Sequence, residues 1–117
     1  MHQFKDLKVW QKAMDIAETT YQLCASFPDS ERYGLTSQMR RAAVSIPSNI
    51  AEGAGRNSKG EFRQFLGIAT GSSCELETQL LLAGRFSYGS SQQLEQILAQ
   101  LAELQKMIQG LRNSLRD

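Results

Sequence analysis

Apolar residues recur along this chain at spacings of three and four, the rhythm that lays one stripe down a helix. The first run is Leu7, Trp10, Met14, Ala17, Tyr21 and Cys24, with Val9, Ala13, Ile16, Thr20 and Leu23 broadening it into a second flank. A helix with apolar surface on two sides wants more than one neighbour, a second chain among them. Phe27-Pro28 ends it, because the residue before a proline is pushed out of the helical region. A second run, Leu35, Met39, Ala42, Ala43, Ile46, Ile50 and Ala54, predicts another helix. Thr36 or Ser37 is expected to cap its start. Gly53, Gly55 and Asn57 are expected to close it through the left-handed conformation those residues accept.

Ser58 and Glu61 spell a capping box at the head of a third helix, whose stripe is Phe62, Phe65, Leu66, Ala69, Ser73, Leu76, Leu80 and Ala83. Arg85 to Ser91 reads as a Gly/Ser turn, and Ser90 with Gln93 repeats the box. Leu94, Ile97, Leu101, Leu104, Ile108, Leu111 and Leu115 then form the most regular heptad of the chain. No alternating run bounded by turn residues predicts a strand. Four helices joined by short loops predict an all-α fold, an antiparallel up-and-down four-helix bundle, in a single domain over residues 1–117.

Pro47 interrupts this pattern inside the second helix. A proline there removes one backbone hydrogen bond and presses on the carbonyl four residues earlier, that of Ala43, at about 3 kcal/mol or more. Pro47 either opens a second, shorter helix capped by Ser45 or kinks one continuous helix. The stripe from Met39 to Ala54 stays in phase across it, which favours the kink. Ser45, Ser48, Asn49 and Glu52 supply polar partners nearby. Gly71-Ser72-Ser73 and Glu75 on the third helix supply a facing patch whose small residues would let two backbones approach. Arg40 or Arg41 against Glu75, with Ser45, Asn49, Glu52 and Ser72, is the expected polar network.

Composition narrows the function more than it specifies it. The 117 residues are 41% apolar and 21% charged, with a formal net charge of +1, a balance that fits a globular chain and argues against a strongly polyanion-seeking one. No apolar run reaches the roughly 18 residues of a membrane span, and MHQFKDLKVW lacks a signal-peptide pattern, so a cytoplasmic location is expected. Cys24 and Cys74 are expected to be buried free thiols, and a lone His2 offers no ligand set, so neither metal nor cofactor is expected. The usual catalytic equipment is missing as well: no paired histidine, no cysteine with a base implied by spacing, no glycine-rich loop after a strand. An enzyme is not expected.

Charge is unevenly placed. Residues 1–31 sum to −2 and residues 32–63 to +4. Arg56, Lys59 and Arg63 gather around the predicted turn between the second and third helices, and Arg40 and Arg41 add to the same basic excess. Such a set can contact phosphate oxygens without reading sequence, with Phe62 or Tyr33 available as a stacking neighbour. Arg40 and Arg41, being adjacent, point about 100° apart on a helix, so one can be internal while the other faces solvent.

Three segments, FKDLKVWQKA, SQMRRAAVSIPSNIAEGAGR and EFRQFLGIATGSSCELETQL, resemble the family of four-helix bundle proteins encoded in 23S rRNA intervening sequences. The resemblance covers nearly the whole chain. It implies a homo-oligomer, a pentameric ring, and no assigned catalytic residue. The family pattern falls on Arg41, Ser45, Ile46, Asn49, Ile50, Glu52 and Gly53, then on Phe62, Phe65, Leu66, Gly71, Ser72 and Glu75, as packing and polar-register positions. The expected function is that of a binding or adaptor module, with RNA or a ribonucleoprotein as partner through the basic corner. The alternative is a protein-interaction scaffold that binds no nucleic acid.

Overall fold

The computed structural model describes residues 3–116, so His2 lies outside the described residues. Four helices account for most of the chain: α1 (Lys8–Cys24), α2 (Leu35–Ala54), α3 (Lys59–Arg85) and α4 (Ser91–Ser114). Two single 3-10 turns, Phe4–Asp6 and Asp29–Glu31, precede α1 and α2, and no strand occurs among the described residues. The helices close a ring of packed pairs, α1 on α2, α2 on α3, α3 on α4 and α4 back on α1. The result measures 46 × 23 × 20 Å.

The core is built from the predicted stripes of α2, α3 and α4. Met39, Ala43, Ile46 and Ile50 from α2 meet Leu66, Leu76 and Leu80 from α3 and Ile97, Leu101, Leu104 and Ile108 from α4, all sealed from solvent. Each such aliphatic side chain contributes roughly 1.5–3 kcal/mol on burial. In α1 the inward face is the expected flank rather than the expected stripe. Val9, Ala13, Ile16, Thr20 and Leu23 are buried with Cys24, whereas Met14 and Tyr21 are exposed and Leu7, Trp10 and Ala17 only half-buried. Both sets repeat at helical spacing, so periodicity alone does not rank them. Thr20 can enter the core because its hydroxyl donates to the Ile16 carbonyl at 2.7 Å, leaving no unmet donor.

The helix ends follow local chemistry, with three corrections to expectation. Neither Thr36 nor Ser37 caps α2. Its Leu35 N–H is instead taken at 3.1 Å by Glu31 Oε1 from the preceding 3-10 turn, and Glu31 Oε2 accepts the Tyr88 hydroxyl at 3.0 Å. One carboxylate thereby ties the α1–α2 connection to the α3–α4 connection. Second, α2 does not close through a left-handed glycine, since Gly55 keeps a right-handed φ of −83°. Gly53 is needed for packing instead: a Cβ there would lie 2.6 Å from Phe65 Cβ and 3.1 Å from Phe62 Cδ1. Third, the close approach of α2 and α3 is at Gly53 and not at Gly71, around which a Cβ would meet nothing within 4 Å. The heads of α3 and α4 use their serines as read: Ser58 Oγ accepts from the Glu61 N–H and Ser90 Oγ from the Gln93 N–H, both at 3.1 Å.

Only Cys24 of the two free cysteines is buried; Cys74 is exposed. The α3 core stripe passes through Ser73, and the next position is turned about 100° away from it. Burial pushes the Cys24 thiol up, opposed in part by the charge and hydrogen bond of Arg40. A thiol reagent at neutral pH is therefore expected to modify Cys74 in the native protein and Cys24 only after unfolding, read as one fast and one denaturant-dependent adduct by mass spectrometry.

Candidate functional site

Helix α2 runs unbroken through Pro47, which is itself buried, so the proline does not open a separate helix. Around it the structure joins three of the predicted polar residues. Asn49 Nδ2 donates to the Ser45 carbonyl at 2.8 Å and to Ser45 Oγ at 3.0 Å. Ser45 Oγ and Ser72 Oγ share a hydrogen bond at 2.8 Å across the α2–α3 contact. The Ser45 carbonyl is two residues beyond that of Ala43, the one the proline deprives of a donor, so the amide fastens the Ser45 side chain and its turn without replacing the lost bond. Glu52 and Glu75 are placed elsewhere. Glu52 is exposed and pairs with Arg56 at 3.7 Å. Glu75 lines a shallow cleft with Gln38, Arg41, Ala42 and Ser45, but forms no ion pair with Arg41 or Arg40 within 4 Å among the described residues.

The basic corner is largely balanced by its own acids. The Arg56 guanidinium lies 3.7 Å from Glu52 and 3.8 Å from Glu61, and it stacks 4.8 Å from the Phe65 ring centroid. Lys59 is exposed, and Arg63 is half-buried with its Nε enclosed and unpartnered. Arg40 is not part of this corner. It belongs to the other end of α2, where its guanidinium sits 4.8 Å over the Tyr21 ring and donates to the Tyr21 carbonyl at 3.5 Å. Arg40 is thus the half-buried member of the Arg40-Arg41 pair, and Arg41 faces solvent.

Two open grooves of about 630 Å³ each run along the outer side of α1 and α2. The first is apolar, floored by Trp10, Met14, Ala17, Val44, Pro47 and Ala51 and edged by Asp15 and Glu18. It is the expected α1 stripe left uncovered, joined by the outer side of the proline turn. The second continues from it over Tyr21 and Val44 and is lined by Arg32, Tyr33, Arg40 and Arg41 with the hydroxyls of Thr36, Ser37 and Ser45. A separate exposed apolar set, Ile68, Leu81 and Leu82, lies along α3. Among the described residues no group of three His, Cys, Asp or Glu side chains could hold a metal ion, and no helix is long and apolar enough to cross a membrane.

Residues 5–110 match the 23S rRNA-intervening sequence protein family. The chain belongs to that family. A solved structure from Bacteroides thetaiotaomicron, a protein of unknown function from the S23 ribosomal protein family, superimposes on this family member with a TM-score of 0.80 at 25% identity, covering 89% of this chain and 97% of the other. No curated protein matches the chain. Membership supplies the fold and leaves the task of the surfaces to be read from their chemistry.

Sequence reasoning offered Tyr33 as a stacking neighbour and missed Arg32 beside it. They sit in the polar loop before α2, and only the fold brings them beside Arg40, Arg41 and the end of α1. It also missed a polar link between α3 and α4, in which Gln105 Nε2 donates to Ser73 Oγ and to Glu77 Oε1, each at 3.1 Å. A serine within an otherwise apolar stripe was the available signal for that link.

Proposed function

We propose that this family member is a non-enzymatic, homo-oligomeric helical bundle that serves as a binding or adaptor module. The apolar groove over Trp10, Met14, Ala17, Val44, Pro47 and Ala51 carries the proposal. Met14, Tyr21 and Val44 are each more than 40% exposed, and a contiguous apolar face of that kind marks an association surface. A ring of identical chains needs two different faces, and the exposed Ile68, Leu81 and Leu82 on α3 are suited to be the second. Five copies is the number that the family resemblance implies.

The antiparallel up-and-down course and a bend of α2 at Pro47 belong to the same reading. Short connections join helices that pack side by side, and the buried positions from Met39 to Ala54 stay in phase across the proline. Asn49→Ala is expected to cost about 1 kcal/mol, because it removes the hydrogen bonds to the Ser45 carbonyl and Ser45 Oγ. It is expected to cost as much beside Pro47→Ala, since the carbonyl the proline deprives is that of Ala43; denaturant unfolding of the double-mutant cycle reads this. A distinctly smaller cost beside Pro47→Ala would show that the amide compensates for the proline.

RNA or a ribonucleoprotein is the narrower candidate partner, through Arg56, Lys59 and Arg63. The two carboxylates around Arg56 favour the alternative at that corner, a scaffold that recruits protein and leaves the cations solvated. An Arg56, Lys59 and Arg63 triple alanine distinguishes them: loss of salt-sensitive RNA binding supports the corner, and a protein partner retained after nuclease treatment supports the scaffold.

A further inference from the structure

The groove between the end of α1 and the start of α2 concentrates chemistry that neither assembly nor the Arg56 corner uses. Three guanidinium groups, those of Arg32, Arg40 and Arg41, line it, and no carboxylate does. None of the three forms an ion pair among the described residues, in contrast to Arg56 with its two acids. Asp29 lines the adjoining cleft with Arg32 and Arg40 without pairing to either. Arg40 is held over the Tyr21 ring and donates to the Tyr21 carbonyl, so its charge is fixed in place.

Tyr33 adds the second element. Its side chain is 88% exposed, an unusual cost for an aromatic ring, and the Arg32 guanidinium lies 5.6 Å from its centroid. An exposed ring braced by a cation is a stacking platform. Cations that track a phosphate backbone beside an aromatic ring that accepts a base of any identity are the components of single-strand recognition. The hydroxyl of Ser37 along the same groove can reach a further phosphate or sugar oxygen.

We infer that this groove binds single-stranded nucleic acid, with phosphates on Arg32, Arg40 and Arg41 and a base stacked on Tyr33. The inference rests on the adaptor reading for its purpose and not for its chemistry. Tyr21 and Val44 are shared with the apolar groove, so in an assembled protein the strand lies at the edge of a subunit junction. An acidic peptide would satisfy the arginines and leave Tyr33 without a role, which is why a nucleic acid is favoured.

The test is fluorescence anisotropy of a labelled short oligouridine with the full chain in its native assembly state. Three phosphate contacts predict a roughly 20-fold weakening between about 50 and about 200 mM salt. Tyr33→Ala is expected to weaken binding at least about fivefold, while Tyr33→Phe binds as the native protein does. The surface double variant Arg32→Gln with Arg41→Gln is expected to remove about two-thirds of the salt dependence. Uridine monophosphate should compete only at far higher concentration than the strand. The inference is overturned if the groove variants bind normally while the Arg56, Lys59 and Arg63 variant does not, an outcome that returns the site to the corner. It is overturned equally if polyglutamate of matched charge competes as well as the oligonucleotide, if the mononucleotide does, or if nothing binds at low salt. A monomeric protein that still binds through Tyr33 would uphold it while removing the assembly proposal.

Discussion

Gly53→Ala destabilises the fold by about 1–3 kcal/mol, although alanine is better than glycine inside a helix by about 1 kcal/mol. The reason is the α2–α3 contact. An added Cβ would stand 2.6 Å from Phe65 Cβ, 3.1 Å from Phe62 Cδ1 and 3.3 Å from the Phe62 carbonyl oxygen. Two of these neighbours are fixed to the backbone near the start of α3 and cannot swing aside, so relief requires the two helices to separate. Separation would loosen the contacts of Phe62, Ile50 and Ala54, all buried close by in sequence. Gly71→Ala is the control: a Cβ there meets nothing within 4 Å, and the substitution is expected to raise stability by roughly 0.5–1 kcal/mol. Urea unfolding of both variants measures the opposite signs directly. Two gains would show that α2 and α3 are not held as close as Gly53 allows.

Met14→Glu with Val44→Glu is expected to break the assembly into separate chains with the helical content intact. Both side chains are exposed in the single chain, so the folded protomer accommodates a carboxylate at either position. Both line the apolar groove, where association would strip water from the new charges; no cation lines the groove beside Met14, whereas a carboxylate at Val44 has Arg40 and Arg41 one turn away. Asp15 and Glu18 already edge the groove, so two added carboxylates also repel acids in place. An unpaired buried polar group costs at least about 1–3 kcal/mol, and a buried charge more, so the pair weakens association by well over tenfold. Circular dichroism unchanged from the native protein, together with the mass of a single chain, is the expected combination. A variant that keeps its native assembly would place the interface elsewhere on the surface.

The residues that could be read in advance are those whose role depends on spacing along one helix. The stripes of α2, α3 and α4 and the Ser58 and Ser90 caps depend only on neighbours three or four positions away, and the structure places them accordingly. In α1 two flanks share the same period, and only the positions of α2 and α4 decide which is covered; the choice leaves Trp10, Met14 and Tyr21 outward. Cys74 was misplaced because it adjoins Ser73, whose buried hydroxyl is satisfied by the Thr70 carbonyl at 2.6 Å. The Ser45, Asn49 and Ser72 link was legible as polar side chains one helical turn apart on α2 facing a small polar patch on α3. Tyr33 was legible as a stacking neighbour for a basic set that included Arg40 and Arg41, but their gathering with Arg32 into one groove was not, since its members come from a loop and a helix whose juxtaposition with Tyr21 is set by tertiary packing. Glu31 was equally hidden: nothing local shows that an acid four residues before a helix would serve its first N–H and a tyrosine 57 positions away.

Assembly through the α1–α2 face is the claim on which the remaining surfaces depend, because it decides what is left to bind a partner. Light scattering on the purified native chain, followed across a dilution series, tests it with the fewest assumptions. The expected result is a mass several times the 13.1 kDa of one chain, constant over the upper part of the series. A mass of 13.1 kDa at every concentration would contradict it and leave the groove of Trp10, Met14 and Val44 as the exposed surface of a monomer.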